Sequence, residues 1–305
     1  MSHSVTPIAP LRALLARPDG AILAIVSRIE GPSYRPLGAM MAIVDESDLV
    51  GSLSSGCIEA DIALQARAAR DSGKPMCVRY GKDSPYVDIQ LPCGGGLEIL
   101  LCPRPNLTVL GEVVRRNDAR QSCSLVIKTE DGAMRLGDAQ LTTRDDDHIT
   151  IKVDPEICFH VFGKGPEAST FAALVEAAGY PNLLLSPDKE TLDAAASSGC
   201  ATHHLKMPHY PTDVSIDPWT AVTLFFHDHD WEPPILASAL QADALYVGAQ
   251  GSRASAEGRL SALRELGVGE VSLERLRGPI GLIPSARDPR TLAVSVLAEV
   301  LAEAM

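Results

Sequence analysis

The chain lacks a basic surplus, a long apolar run and a paired-cysteine motif, and each absence removes a class of function. Its 27 Lys and Arg residues stand against 39 Asp and Glu, a formal net charge of −12. No excess of cations exists to neutralise phosphates, which argues against nucleic acid as the main partner. No apolar stretch reaches the roughly 18 residues that a membrane span needs. The start, MSHSVTPIAPLRALLARPDG, has no basic region followed by an apolar core, so the expectation is a cytoplasmic protein without a span. The 7 cysteines are an odd set without a CxxC pair, which suggests neither a disulfide framework nor a zinc ribbon. Reduced thiols, most of them small core residues, are the default. There is no internal repeat and no low-complexity tract.

What is there is enough for two packed domains: 305 residues, 46% hydrophobic and 22% charged. AILAIVSRIE and the stretch GPSYRPLGAMMAIVDESDLVGSL read as strand, Pro/Gly loop, strand, turn and short strand. IEADIALQARAARDSG then carries apolar residues at helical spacing and stops at Gly73. PMCVRY and LEILLCP read as further strands, and residues 106–155 as a helix followed by short strands. From about Glu156 strands alternate with helices, as in a doubly wound parallel sheet, and the last helix starts at Asp288 as N-cap with Pro289 in the first position. The expected fold is α/β: an N-terminal mixed domain, 1–155, followed by a Rossmann-like parallel-sheet domain, 156–305.

Two loops carry the sharpest chemistry. Cys57, in GSLSSGCIEADI, sits where a helix N-terminus would bring partial positive charge and free N–H groups to the sulfur, which favours thiolate. Cys93, in QLPCGGGLEIL, lies beside three glycines whose backbone can approach a ligand closely. Buried structural cysteines need no such backbone, so the pair points to a soft-metal or sulfur-handling role.

The second half offers weaker signals. Gly163, Gly165 and Ala168 form GxGxxA between a strand and a helix, the context of a dinucleotide turn. Ser186 stands where an acidic ribose ligand is expected, with Asp188 two residues on, and Pro166 removes a donor from the helix start. The turn therefore reads either as an NAD(P) site or as a scaffold serving another ligand. His227 and His229 alternate with Asp228 and Asp230, but no third ligand stands at a metal-site spacing. Gly251, Ser252 and Arg253 follow a strand and suit an oxyanion, or a plain turn with a surface arginine.

In chain order SYRPLGAMM (33–41), GSLSSGCIEADI (51–62), LPCGGGLEIL (91–100), VFGKGPEA (161–168), HD (227–228), YVGAQGSR (246–253) and GPIGLIPSARDP (278–289) resemble the XdhC/CoxI family of xanthine dehydrogenase accessory proteins. The resemblance implies a cofactor-insertion chaperone more than a catalyst. Such a protein binds molybdenum cofactor, supports its sulfuration with a cysteine desulfurase and delivers it to a xanthine dehydrogenase-type molybdoenzyme. It implies Cys57 as first contact with molybdenum or with the transferred sulfur, and Cys93 as second. Arg35, Ser55, Gly56, Gly94, Gly95, Gly96, Ser252 and Arg253 are then expected around the phosphate or pterin, and Gly163, Gly165, His227, Asp228 and Gly251 as further cofactor-binding residues in the Rossmann-side loops. A homodimer is the expected assembly. An NAD(P)- or nucleotide-dependent oxidoreductase built on the GxGxxA turn is the alternative. The chain departs from the family pattern at Ser55, Pro166, Ser186 and Ile283.

Overall fold

The computed structural model describes residues 6–45, 47–54, 56, 58–82, 84, 94–227 and 230–304. The chain divides between Pro155 and Glu156 into two compact units. In the first, α1 (Ala9–Ala16) precedes β1 (Ile22–Glu30), β2 (Met40–Ile43), β3 (Leu49–Gly51), α2 (Glu59–Ser72), β4 (Met76–Gly81) and β5 (Gly96–Pro103). The strands form one antiparallel sheet in the order β3-β2-β1-β5-β4. After α3 (Leu107–Asp118), the strands β6 (Cys123–Lys128), β7 (Met134–Gly137), β8 (Thr143–Arg144) and β9 (His148–Val153) make a second antiparallel sheet, ordered β7-β6-β9-β8.

Alternation along β1 explains why this sheet is covered on both faces. Leu23 and Ile25 enter one core with Leu100, Leu110 and Leu125. Ile22, Ala24 and Val26 enter the other with Ile62, Ala66 and Ala69 of α2. The helix α2 lays its apolar stripe on that second face and ends at Gly73, whose φ of +65° is the left-handed C-cap that glycine adopts without strain. The helix α1 was not expected from the sequence, although Pro10 in its first turn suits a helix start.

The second unit is a parallel sheet: β10 (Cys158–Gly163), α4 (Pro166–Ala177), β11 (Asn182–Ser186), α5 (Lys189–Ser197), β12 (Ala201–His204), β13 (Thr220–Phe225), α6 (Glu232–Gln241), β14 (Tyr246–Ala249), α7 (Arg253–Glu265), α8 (Glu270–Leu273), β15 (Leu276–Arg277) and α9 (Pro289–Glu303). Its order is β12-β11-β10-β13-β14-β15. The chain winds one way from β10 and then the other from β13, which gives the doubly wound Rossmann-like arrangement with a switch point between those two strands. The Asp188 and Asp288 side chains accept the N–H of Thr191 and Thr291 and cap α5 and α9. Among the described residues no helix is long and apolar enough to cross a membrane.

Candidate functional site

In the first unit the antiparallel pairing decides which loops meet. Glu30 pairs with Gly96 and Gly96 with Gly81, while Gly51, the end of β3, pairs with Met41 at the start of β2, which runs antiparallel to β1. The loop after β1, the loop leading to α2 and the loop between β4 and β5 therefore leave from the same end of one sheet. Both cysteine motifs belong to that rim. Cys57, Ser55 and Cys93 themselves lie outside the described residues.

The loop before α2 is organised by Glu59, the first residue of the helix. Its Oε1 accepts the Ser52 hydroxyl at 3.0 Å and the N–H groups of Leu53 and Ser54 at 3.1 and 2.9 Å. Its Oε2 accepts the Ser54 hydroxyl at 2.6 Å and the N–H groups of Gly56 and Ile58 at 2.9 and 3.2 Å. Burial alone would raise this carboxyl. The hydroxyl and N–H of Ser54, its own N–H and the Ser52 hydroxyl outweigh burial and hold it at about 2.

This corrects one expectation. The helix start was expected to bring free N–H groups to the Cys57 sulfur, but the N–H groups of Gly56 and Ile58 both donate to Glu59. The positive end of α2 is already met by an ionised carboxylate. Sequence reasoning missed Glu59, although an acid at the first helical position after a Ser/Gly turn is a recognisable capping signal. The next turn is fixed to the sheet, because Tyr80, fully buried on β4, donates its hydroxyl to Asp61 at 2.6 Å. The start of α2 is thereby held at the same rim as Gly81 and Gly96.

The glycines of the second loop are there for space and for backbone conformation. A Cβ on Gly95 would stand 2.1 Å from the Pro32 carbonyl oxygen and 3.0 Å from that of Glu30, so only glycine lets the two backbones approach. Gly94 has φ +72°, and the Gly95 carbonyl accepts the Lys82 N–H at 3.2 Å. The loop carrying Arg35 is thus packed directly against Gly95. Arg35 is exposed on it, and Gly56, at φ +102°, has open space where a side chain would be. The structure brings the Gly94–Gly96 and Arg35 loops into contact and the start of α2 to the same rim.

Of the described cysteines, Cys102, Cys123 and Cys200 are buried. Desolvation raises the thiols of all three, that of Cys102 to about 12. These are inert core residues. Among the described residues no group of three or more His, Cys, Asp or Glu could hold a metal ion.

In the second unit a Cβ on Gly163 would lie 2.8 Å from both Ala168 Cβ and the Phe225 carbonyl oxygen, so this glycine lets helix and strands pack closely. Gly165 has φ +90°, and its N–H donates to the Thr191 hydroxyl at 2.8 Å. Pro166 occupies the first helical position. Ser186 is fully buried with its hydroxyl accepting the Asp188 N–H, and Asp188 is engaged in capping. The NAD(P) alternative gains nothing from this turn, whose amide and acid are both committed within the protein.

His227 is exposed, with Nε2 3.7 Å from Glu167 Oε2; Asp228 and His229 lie outside the described residues. Ser252 is the N-cap of α7 and accepts the Ser255 N–H at 3.1 Å. Its hydroxyl therefore serves the helix. Arg253 opens that helix, and its side chain lies outside what is described. Gly251 has φ +146°, and the loop rests on Arg259, which donates to the Gln250 carbonyl at 2.7 Å. Arg259 and Glu232 form an ion pair at 3.0 Å with both side chains almost fully buried. Ile283 is half exposed and donates its N–H to the Ser295 hydroxyl at 2.6 Å.

Comparison with known proteins identifies the family and the fold. The profile of the XdhC Rossmann domain matches residues 159–300, and that of the XdhC and CoxI family matches residues 14–81. The molybdenum cofactor insertion chaperone PaoD of Escherichia coli is 34% identical over 284 residues, 92% of this chain and 82% of its own. A probable xanthine dehydrogenase subunit from Bacillus subtilis is 23% identical over 95% of both chains. A crystal structure of a xanthine dehydrogenase from Bacillus halodurans superposes with a TM-score of 0.78 at 21% identity, covering 97% of this chain and 96% of that one, and shares its fold. On the PaoD match and the two profiles, the chain belongs to the XdhC and CoxI family.

Proposed function

We propose that this protein is a molybdenum cofactor insertion chaperone, with the cofactor as cargo bound at the loop rim of the first unit. The observation that carries the reading is the convergence there of the flanks of both cysteines: Glu59 fixes the backbone on either side of Cys57, and Gly95 seats the loop of Cys93 against Pro32. The 34% identity to PaoD, whose name states that function, supports it.

The chemistry fits the cargo. Molybdenum held by a dithiolene is a soft centre that favours thiolate, and Cys57 is its contact on this reading, with Cys93 second. Glu59 spends its carboxylate on the flanking backbone and hydroxyls, so the helix start contributes no competing ligand. Sulfuration exchanges an oxo ligand of the bound cargo for a sulfido: the oxo leaves with two protons as water, and the sulfur comes from a cysteine desulfurase persulfide reduced to sulfide by a thiol reductant. Delivery to a xanthine dehydrogenase-type molybdoenzyme follows, from a homodimer.

Transfer is the test. The purified protein, loaded with cofactor and sulfurated, is mixed with a cofactor-free xanthine dehydrogenase, and hydroxylase activity is followed. Activation by the loaded protein, and its loss with Cys57→Ala, is the expected result. Equal activation by the unloaded protein would reject the chaperone role.

A further inference from the structure

The helices of the second unit differ in what they show to solvent. The exposed positions of α5 include Lys189, Glu190 and Asp193, and those of α7 include Glu257, Arg264 and Glu265, as on an ordinary surface helix. The neighbouring pair α4 and α9 does not follow this pattern. One side of α9 is buried through Leu292, Ala293, Val296 and Val300. The opposite side, at helical spacing, carries Val294 and Ala298, both exposed, and Leu297 and Leu301, both half-buried. On α4, packed alongside, the side away from the core carries Thr170, Ala173, Leu174 and Ala177. The two acids of α4 are engaged elsewhere: Glu167 lies 3.7 Å from His227, and Glu176 accepts from Asn182 at 2.7 Å.

The loop before α9 extends this uncharged face. The Leu282 and Ile283 N–H groups donate to the Ser295 carbonyl and hydroxyl at 3.4 and 2.6 Å, and the Gly281 N–H donates to Glu299. The backbone is thus pinned to α9, yet Leu282 and Ile283 are 59% and 47% exposed, and Val294 beside them 56%. Apolar side chains held outward by a fixed backbone lose little further freedom on association, and a contiguous patch of them marks an interaction surface. Two helices about 8–10 Å apart and about 20 Å long, with the loop at their flank, present on the order of 500 Å². Two such faces together bury about 1,000 Å², enough for a specific interface.

We infer that this face joins the chain to a second copy of itself across a two-fold axis, with α4 and α9 packed on α4 and α9. Charge selects the occupant. Two copies of formal net charge −12 repel wherever their acids face each other, and the uncharged face is free of that cost. A two-fold axis sets α9 antiparallel to its copy. The start of α9 carries Arg290, preceded by Arg287, which has no ion pair among the described residues, and its last turn carries Glu303. Antiparallel pairing brings the cationic end of each helix to the acidic end of the other. A lipid surface is the poorer match, because α9 has neither the aromatic residues nor the lysines that hold interfacial helices. This gives the homodimer of the chaperone reading its surface, on grounds independent of the cofactor.

Sedimentation equilibrium of the full chain is the test. The wild type is a dimer at micromolar concentration, and Val294→Glu and Ala298→Glu each raise its dissociation constant about a hundredfold or more, because each sets an unpaired carboxylate against the second copy. Both positions are exposed, so the variants keep the wild-type circular dichroism, and the second decides the matter if the first folds poorly. Arg290→Glu weakens the dimer a few-fold by setting acid against acid, and adding Glu303→Arg restores it. A dimer untouched by both carboxylate variants overturns the assignment of this face. Failure of the charge exchange to restore association overturns the antiparallel arrangement. A monomeric wild type overturns the whole inference, including when it binds phosphatidylcholine vesicles through Val294 instead. A monomer that still retains molybdenum cofactor refutes this inference alone and leaves the chaperone reading standing.

Discussion

Glu59 Oε2 accepts the N–H of Gly56 at 2.9 Å and of Ile58 at 3.2 Å, so one carboxylate holds the backbone on both sides of Cys57. Four further donors from Ser52, Leu53 and Ser54 complete the clamp. The carboxylate thus fixes the backbone that flanks this cysteine on both sides, at Gly56 and Ile58.

The clamp depends on charge, and its pH dependence has a definite sign. The folded carboxyl is held at about 2, below its ordinary value, so its contribution to stability is complete above about pH 5 and is lost as the pH falls towards 2. Glu59→Gln should lower stability by about 1–3 kcal/mol at pH 7, after allowance for partial solvent screening. Chemical denaturation at pH 7 and pH 3 checks this: the gap between wild type and variant should shrink at the lower pH.

Gly95→Ala is expected to disturb the rim without touching either cysteine. The added carbon meets a backbone oxygen of Pro32 at 2.1 Å, which has no rotamer by which to move away. A cost of about 1–3 kcal/mol and faster amide exchange at Gly94–Gly96 and Gly31 are the expected outcomes, measured by hydrogen exchange. Exchange rates equal to wild type would show that the two loops are not packed as described.

The sequence carried the local part of this picture. The glycine turn after β10, the stop at Gly73 and the cap at Asp288 were legible because each is fixed within a few residues by backbone conformation or a side-chain acceptor. The rim was not. That the loops of Cys57 and Cys93 leave one end of a sheet follows from the order β3-β2-β1-β5-β4 and its antiparallel registers, and pairing between distant strands leaves no short-range mark. The short edge strands β12 and β15 escaped notice for the same reason. Glu59 was legible and was overlooked, because the neighbouring sulfur was credited with the helix end that the carboxylate occupies.

In the second unit, the ion pair between Arg259 and Glu232 supports the loop of Gln250 and Gly251. Glu232→Gln leaves a buried guanidinium without its counter-charge, and a loss of about 3–5 kcal/mol is expected. Replacing both, Glu232→Met with Arg259→Met, should cost much less than the single change, because the desolvation of both charges is relieved together. Thermal or urea unfolding of the single and double variants measures the difference. A double variant as unstable as Glu232→Gln would show that the bond from Arg259 to the Gln250 carbonyl, not the pair, supports the loop.

The most direct measurement is the stoichiometry of molybdenum cofactor retained by the purified chain and by Cys57→Ala. The protein should hold about one cofactor per chain through gel filtration, and Cys57→Ala should retain almost none while keeping the wild-type unfolding transition. Full retention by that folded variant would contradict the account, and with it the role given to the loop that Glu59 holds.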